Sequence, residues 1–408
     1  MPLVVQKYGG TSVGDASRIR NVARRVAERK RSGDRVVVIV SAMGRTTDDL
    51  IRLSREVSDQ HHPRELDMLL TAGERISMAL LAMAIRDEGV EAMSLTGSQA
   101  GILTDTSHGQ AKIRDIKAFR VEEGLEAGKV VIVAGFQGVS PDTHEITTLG
   151  RGGSDATAVA MAAALHADVC EIYTDVDGVF TADPRIVPGA RKIDEITFEE
   201  MLEYASAGAR VLMGRSVEFG MRFNVPIHVR SSFHDEPGTW VKEATMEQPI
   251  VSGVAHDTST AKVTVRGVPD TPGVAASLFT PLAVEGVMVD MIVQNVSSEG
   301  ATDISFTVPL ELLDVARPIA EATARAIGAA GLDVDDQVGR VSIVGSGMRA
   351  HPGVAATMFS VLADAGINIA MISTSPIRVS CVIAASQVDE AVRRLHDAFI
   401  TAEQVVAP

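Results

Sequence analysis

The sequence predicts an α/β protein in two parts: a mostly parallel sheet sandwiched by helices over residues 1–245, then two copies of a small βαββαβ unit. Up to residue 245, apolar β-branched runs alternate with helical patterns, the arrangement that builds parallel or mixed sheets covered on both faces. Past residue 260 the chain repeats itself. Pro272-Gly273-Val274-Ala275-Ala276 returns as Pro352-Gly353-Val354-Ala355-Ala356, and Phe279, Gly286 and Met291 return as Phe359, Gly366 and Met371. The offset, 353 − 273 = 80 residues, is too long for a solenoid repeat and suits two copies of a small domain.

In chain order, strands are expected near residues 3–7, 35–41, 129–135, 168–174 and 226–231. A helix follows Asp15 as N-cap, with Ile19, Val22 and Val26 at helical spacing and a basic outer face from Arg24 to Arg31. Residues 78–85 and 157–165 are the most apolar helical stretches. Neither reaches the run of about 18 apolar residues that a spanning helix needs, so both are expected in the core. Residues 235–250 are polar and contain proline, which marks a linker. In the first repeat Val263-Thr264-Val265 opens, Ile292-Val293-Gln294-Asn295 is the second strand and Asp303-Ile304-Ser305-Phe306 the third. The expected division is 1–245, a linker with an additional strand over 246–262, and repeats over 263–340 and 341–408.

Hydrophobic residues make up 46% of the chain and aromatics 4%, so the core must be built from Val, Ile, Leu, Ala and Met. A formal charge of −15 argues against nucleic acid or an anionic membrane as the main partner, because both are bound through an excess of Lys and Arg. Cys170 and Cys381 lie in separate apolar runs, so buried free thiols are expected rather than a disulfide framework. With no basic segment followed by a long apolar stretch at the start, a cytoplasmic location is expected.

Residues 4–14 read Val-Val-Gln-Lys-Tyr-Gly-Gly-Thr-Ser-Val-Gly, an apolar run that stops at Lys7 and the pair Gly9-Gly10 just before a helix. Glycines admit φ > 0 and close backbone approach, a helix start offers unpaired N–H groups, and Lys7 adds a movable cation. That combination cradles phosphate, with a spacing unlike either common glycine-rich nucleotide motif. In a parallel sheet the active residues belong at the C-terminal strand ends, where Lys7, Ser41, Gly135 and Thr174 fall. His61-His62-Pro63 is poor metal-ligand spacing, and the acids of the 174–185 loop do not match an EF-hand.

The opening KYGGTSV resembles that of the aspartate kinases within the amino-acid kinase family. Four further segments agree in order: VSAMG at 40–44, TAGER at 71–75, GRGGSD at 150–155 and YTDVDGVFTADP at 173–184. The tandem repeats resemble a pair of ACT domains, the ligand-sensing modules that end most aspartate kinases. The resemblance implies transfer of the γ-phosphate of ATP, with Mg²⁺, to the β-carboxylate of L-aspartate. The product would be 4-phospho-L-aspartate, the first intermediate toward lysine, threonine and methionine.

Carried over by segment, Lys7 and Asp155 are the catalytic residues, Asp155 orienting Lys7. Glu74 takes the substrate ammonium and Arg151 a carboxylate, with Ser41, Thr47, Gly152 and Ser154 adding donors; Ser154 is expected to cap a helix. ATP is assigned to Lys7, Tyr8, Gly9, Gly10, Tyr173, Thr174, Asp175, Phe180, Asp183, Arg185 and Arg210. Many relatives place a second lysine where this chain has Phe233 and His234, so Arg210 or Arg185 is expected to supply that charge.

The paired ACT domains imply inhibition by lysine, threonine or both. The implied effector residues are Pro272, Gly273, Val274, Ala275, Asp290, Gln294 and Asn295 in the first repeat, and His351, Pro352, Gly353, Val354 and Asn368 in the second. Val274 and Pro376 stand where some relatives carry an acid, which leaves the preferred effector open. In several relatives a strand upstream of the first ACT domain completes the second, and here the candidate for that strand is Ile250-Val251-Ser252-Gly253-Val254. Met246 is a possible internal start, which would give an α₂β₂ assembly.

Overall fold

The computed structural model describes residues 1–209, 211–243, 249–295 and 300–401, so Arg210 and Met246 lie outside the described residues. Two compact units result: Met1–Val179, Lys192–Ser206 and Arg210–Met246 form the first, and Phe180–Arg191, Ala207–Ala209 and Glu247–Pro408 the second.

The first unit is built on an eight-stranded sheet in the order Glu195–Thr197, Thr239–Lys242, Ile227–Ser231, Val169–Thr174, Leu3–Tyr8, Arg35–Val40, Val130–Ala134, Ala92–Leu95. Its described pairings are parallel except that between Ile227–Ser231 and Thr239–Lys242. The central strands are near-continuous Val and Ile, and Val36 to Val40 are all fully buried, as a sheet covered on both faces requires. On one face lie the helices Ala16–Arg31 and Pro63–Asp87, whose Val22, Val26, Leu81 and Ile85 share a core with Tyr8 and Tyr173. Asp15 caps the first helix through the Arg18 amide at 2.9 Å.

The Pro63–Asp87 helix is longer than the expected 78–85 core. Its 25 residues are long and apolar enough to cross a membrane by length and composition alone. Ten of its residues are nonetheless buried in the unit, Asp67 and Glu74 among them. On the other face the helix Gly153–Ala164 is buried all round, its small residues allowing close approach to the sheet. A second sheet joins Ile113–Ile116, Ile102–Thr104, Gln137–Val139 and Ile146–Thr148. The lone Trp240 stacks on His228 with ring centroids 3.9 Å apart.

The second unit holds two four-stranded antiparallel sheets. In the first, Thr260–Pro269, the helix Val274–Val284, Ile292–Gln294, Ala301–Pro309, the helix Leu313–Ala326 and Gly331–Asp335 run in βαββαβ order. The second repeats this with Val338–Val344, the helix Val354–Asp364, Met371–Ser375, Arg378–Ala384 and the helix Val388–His396. At the edge where the first sheet carries Gly331–Asp335, the second carries Gly253–Asp257, from upstream of both repeats. The segment Phe180–Arg191 also joins this unit. Ala182 and Val187 share a core with Val254, Ile343 and Leu395, and Thr181 accepts the Val254 amide at 2.7 Å. Cys170 and Cys381 are both free and buried, and burial raises both thiols, Cys381 to about 12.

Candidate active site

Lys7, Ser41, Gly135 and Thr174 end or follow the parallel strands Leu3–Tyr8, Arg35–Val40, Val130–Ala134 and Val169–Thr174, so they share one edge of the sheet. Lys7 leaves its strand on the face of the Gly153–Ala164 helix, and its Nζ lies 2.6 Å from Asp155 Oδ1. The pair is mostly buried, at 12% and 11% side-chain exposure, so the charges are screened less than a surface pair would be. A Cβ on Gly9 would lie 3.4 Å from Lys7 Nζ, and the glycine leaves that flank of the ammonium open.

The glycine pair works by closeness rather than by φ > 0. Gly9 is extended, with φ −70° and ψ 168°, and neither it nor Gly10 has positive φ. Instead a Cβ on Gly10 would sit 2.9 Å from the Ala42 carbonyl and 3.2 Å from that of Gly44. The expected helix start is likewise a single 3₁₀ turn, Gly10–Val13, with the α-helix following only from Ala16.

Glu74 holds the neighbouring loop. Its Oε1 accepts the Ala42 amide at 3.1 Å, which Gly73 permits because a Cβ there would meet Ala42 Cβ at 2.7 Å. Glu74 is 3% exposed and, among the described residues, its Oε2 meets no donor. Burial pushes its carboxyl up to about 7, with the Ala42 amide pulling partly the other way. Ser41 donates its amide to Tyr8 O at 3.1 Å, and Thr47 is half-buried in the first turn of the helix Thr46–Val57.

Arg151 is exposed between Gly150 at φ +75° and Gly152 at φ +69°. Gly152, not Ser154, caps the helix that follows, because the chain enters it through the left-handed region that only glycine adopts freely. A Cβ on Gly152 would also lie 2.2 Å from Met213 Cγ. Ser154 is buried one residue into the helix.

The two tyrosines of the ATP assignment turn away from this edge. Tyr8 and Tyr173 alternate with Lys7 and Ile172 across their strands, so their rings enter the opposite face, stacked 4.6 Å apart and nearly fully buried. Only their backbone serves the edge, Tyr173 O accepting the Gly9 amide at 3.4 Å. Arg25 and Arg230 lie over the Tyr173 ring at 5.1 and 5.7 Å. A 230 Å³ cavity on that face is lined by Gln6, Arg25, Arg29 and Arg230, whose guanidinium groups are paired by Glu171, Asp34 and Asp235.

Thr174 donates to Asp175 at 3.2 Å, and its carbonyl accepts the Ser232 amide at 2.8 Å. His234 meets Asp177 at 2.8 Å, closing the two strand-end loops together. At Phe233, where the resemblance leads us to expect a second lysine, the ring carries the guanidinium of Arg18 at 5.2 Å. Arg18 also donates to the Thr11 carbonyl at 2.6 Å, so it brings to the glycine turn a cation that the motif reading missed. Phe180, Asp183 and Arg185 belong to the second unit. There Arg185 reaches Asp183 at 2.6 Å and holds that carboxyl below its usual range.

In the second unit Gly273 and Gly353, at φ +94° and +100°, start the first helix of each repeat after exposed Pro272 and Pro352. Val274 turns into the core, while Ala275 and Val354 are half-buried. Asp290, Gln294, Asn295 and Asn368 are exposed, and exposed His351 bonds the Gly347 carbonyl at 2.9 Å.

Comparison with known proteins matches residues 2–231 to the amino acid kinase family, and residues 263–320 and 341–399 to the ACT domain. The aspartokinase of Mycolicibacterium smegmatis is 58% identical over 405 residues, covering 98% of this chain and 96% of that one. Among solved structures, E. coli aspartokinase III in complex with aspartate and ADP aligns with a TM-score of 0.82 at 25% identity, covering 97% of this chain and 99% of its own. The same enzyme with lysine and aspartate aligns at 0.76 and 26%, covering 98% and 99%. An α/β unit with a lysine–carboxylate pair at its strand ends, followed by ACT repeats, is thus a phosphotransferase. The chain belongs to the amino acid kinase family and, within it, to the aspartokinases.

Proposed function

We propose that the protein transfers the γ-phosphate of ATP to the β-carboxylate of L-aspartate, giving 4-phospho-L-aspartate, the first step toward lysine, threonine and methionine. The observation that carries this reading is the charge arrangement around one strand-end edge. Lys7 is held by Asp155 beside a glycine turn, and Glu74 Oε2 is buried with no donor among the described residues. A buried acceptor left unmatched is unfavourable until a cation reaches it, and the α-ammonium of an amino acid supplies that cation.

The acceptor carboxylate is already anionic, so no general base is needed; the obstacle is repulsion between two anions. Lys7 stabilises the charge spreading over the transferring group, Asp155 keeps the ammonium aimed, and the open flank at Gly9 admits the phosphates. Arg151 binds a substrate carboxylate through its planar fork of donors, and Ser41, Thr47, Gly152 and Ser154 are proposed to add donors to the substrate. Thr174, Asp175, Phe180, Asp183, Arg185 and Arg210 remain the proposed nucleotide contacts, with Tyr8 and Tyr173 contributing backbone only. Among the described residues no group of three His, Cys, Asp or Glu side chains forms a metal cage. Mg²⁺ is proposed as a companion of the ATP phosphates with Asp155 nearby, where it would neutralise phosphate charge.

Structures of E. coli aspartokinase III with aspartate, ADP and lysine support these ligands for this chain. Regulation is proposed through lysine, threonine or both at the Pro-Gly turns and facing strands of the repeats. Residues 1–245 form the catalytic part, 263–340 and 341–408 the two sensing parts. The enzyme is proposed to be cytoplasmic and to assemble through its ACT domains as a homo-oligomer or as α₂β₂. The test is ATP-dependent acyl phosphate formation, trapped with hydroxylamine, comparing aspartate with glutamate and adding lysine and threonine singly and jointly. Product with aspartate and inhibition by an effector are expected; phosphorylation of glutamate in preference would overturn the reading.

A further inference from the structure

Asp67 has no part in the reaction as described, yet it is 1% exposed and surrounded by donors. Its Oδ1 accepts the Thr148 hydroxyl at 2.6 Å and the Gly109 amide at 3.1 Å. Its Oδ2 lies 3.2 Å from both the Thr148 and Gly109 amides and 2.7 Å from His108 Nδ1. Burying a carboxylate is costly unless such bonds replace its water, so the arrangement is a deliberate clamp.

The two ends of that clamp matter. Asp67 and Glu74 are on the helix Pro63–Asp87, seven residues apart, which is about two turns on one side of the helix. Thr148 ends the strand Ile146–Thr148, three residues before Arg151. Arg215 pins the same strand end from another direction, donating to Leu149 O at 3.1 Å and to Ala111 O at 3.0 Å. The Ala111 amide in turn bonds Thr148 O at 2.9 Å. Gly150 and Gly152, both at positive φ, then flank Arg151 directly.

We propose that Asp67 is a positioning residue that sets the separation between Glu74 and Arg151, and thereby selects a four-carbon over a five-carbon amino dicarboxylate. This rests on the assignment of Glu74 to the substrate ammonium and Arg151 to a carboxylate. One methylene changes the span between those groups by about 1 Å, and a misplacement of that size costs up to about 100-fold in a positioned reaction.

The test is steady-state kinetics on the full chain with aspartate, glutamate and ATP varied separately. Asp67→Asn is expected to raise KM for aspartate about tenfold and to narrow the aspartate-to-glutamate ratio of kcat/KM, with KM for ATP unchanged. Thr148→Val removes one donor and preserves shape; it is expected to move both quantities the same way by a smaller factor, and it decides the matter if Asp67→Asn does not fold. Folded variants with unchanged aspartate KM and unchanged substrate ratio overturn the proposal. So does an equal rise in KM for aspartate and ATP, which marks a merely structural role. Arg151→Ala run alongside keeps the outcomes distinct, because an unchanged aspartate KM there overturns the underlying assignment instead.

Discussion

Arg340, in the opening strand of the second repeat, sets its guanidinium on the carboxylate of Asp290, which belongs to the first. Asp257 lies 3.8 Å away on the other side of the same arginine, and Arg340 is 5% exposed. Met291, Val338, Met371 and Val382 close an apolar seam between the repeats, with Val293 against it. Asp290 is also an expected effector contact, so an incoming ammonium group would compete with Arg340 for it. Asp290→Asn is expected to lower stability by about 1–3 kcal/mol, because the charge on the buried guanidinium is left partly uncompensated. Half exposure of the aspartate keeps the effect toward the lower end. Urea denaturation measures this, and the same variant should need more lysine for half-inhibition.

Lys7→Ala removes the cation that meets the transferring phosphoryl group. By analogy with the loss of one preorganised donor, turnover should fall about 100-fold or more. An unchanged circular dichroism spectrum would show that the loss is chemical. Near-normal turnover would remove Lys7 from the reaction.

Glu74 makes the enzyme sensitive to pH in a definite direction. Its folded carboxyl is raised from 4.5 to about 7 by burial, so the folded state holds a proton that the unfolded chain has released. Its contribution is complete below pH 4.5 and is lost as pH rises through 7, a difference of about 3 kcal/mol. Aspartate, whose ammonium favours the ionised form, should release a proton on binding below pH 7, and its KM should rise as pH falls there. Glu74→Gln is expected to flatten both the stability slope and the pH dependence of KM. Thermal melts across pH 4–8 and kinetics in the same buffers measure the two effects.

Gly73→Ala tests whether helix approach, rather than helix propensity, governs this position. Alanine is the better helix former by about 1 kcal/mol, but its Cβ would stand 2.7 Å from that of Ala42. The helix must retreat or strain, at about 1–3 kcal/mol, and Glu74 then loses its hold on the Ala42 amide. A lower melting temperature and a raised aspartate KM are expected together. A stabilised, fully active variant would refute the close-packing argument.

The sequence was most legible where one rule governs many residues. Strand ends of a parallel sheet collect chemistry, and Lys7, Ser41, Gly135 and Thr174 share an edge for that reason alone. The offset between the repeats likewise exposed the tandem domains. Legibility failed where adjacency in a motif was read as contact: Tyr8 follows Lys7, yet strand alternation sends its ring to the opposite face beside Tyr173. The cap at Gly152 was assigned to Ser154 because composition favours serine, whereas left-handed entry decides it. Arg18 was hidden because its position depends on Phe233, more than two hundred residues away. The affiliation of Phe180–Arg191 with the second unit also depends on long-range contacts that no local pattern encodes.

Trp240 and the three tyrosines, Tyr8, Tyr173 and Tyr204, all fall within the first compact unit. The first unit alone therefore carries the tryptophan and tyrosine chromophores. Fluorescence excited at the tryptophan band follows only the half carrying Lys7, while far-ultraviolet dichroism sums the whole backbone. Melting the protein with both signals together separates the collapse of one half from that of the other, and an effector bound to the ACT repeats becomes visible as a spread between the two transitions, with no dye attached.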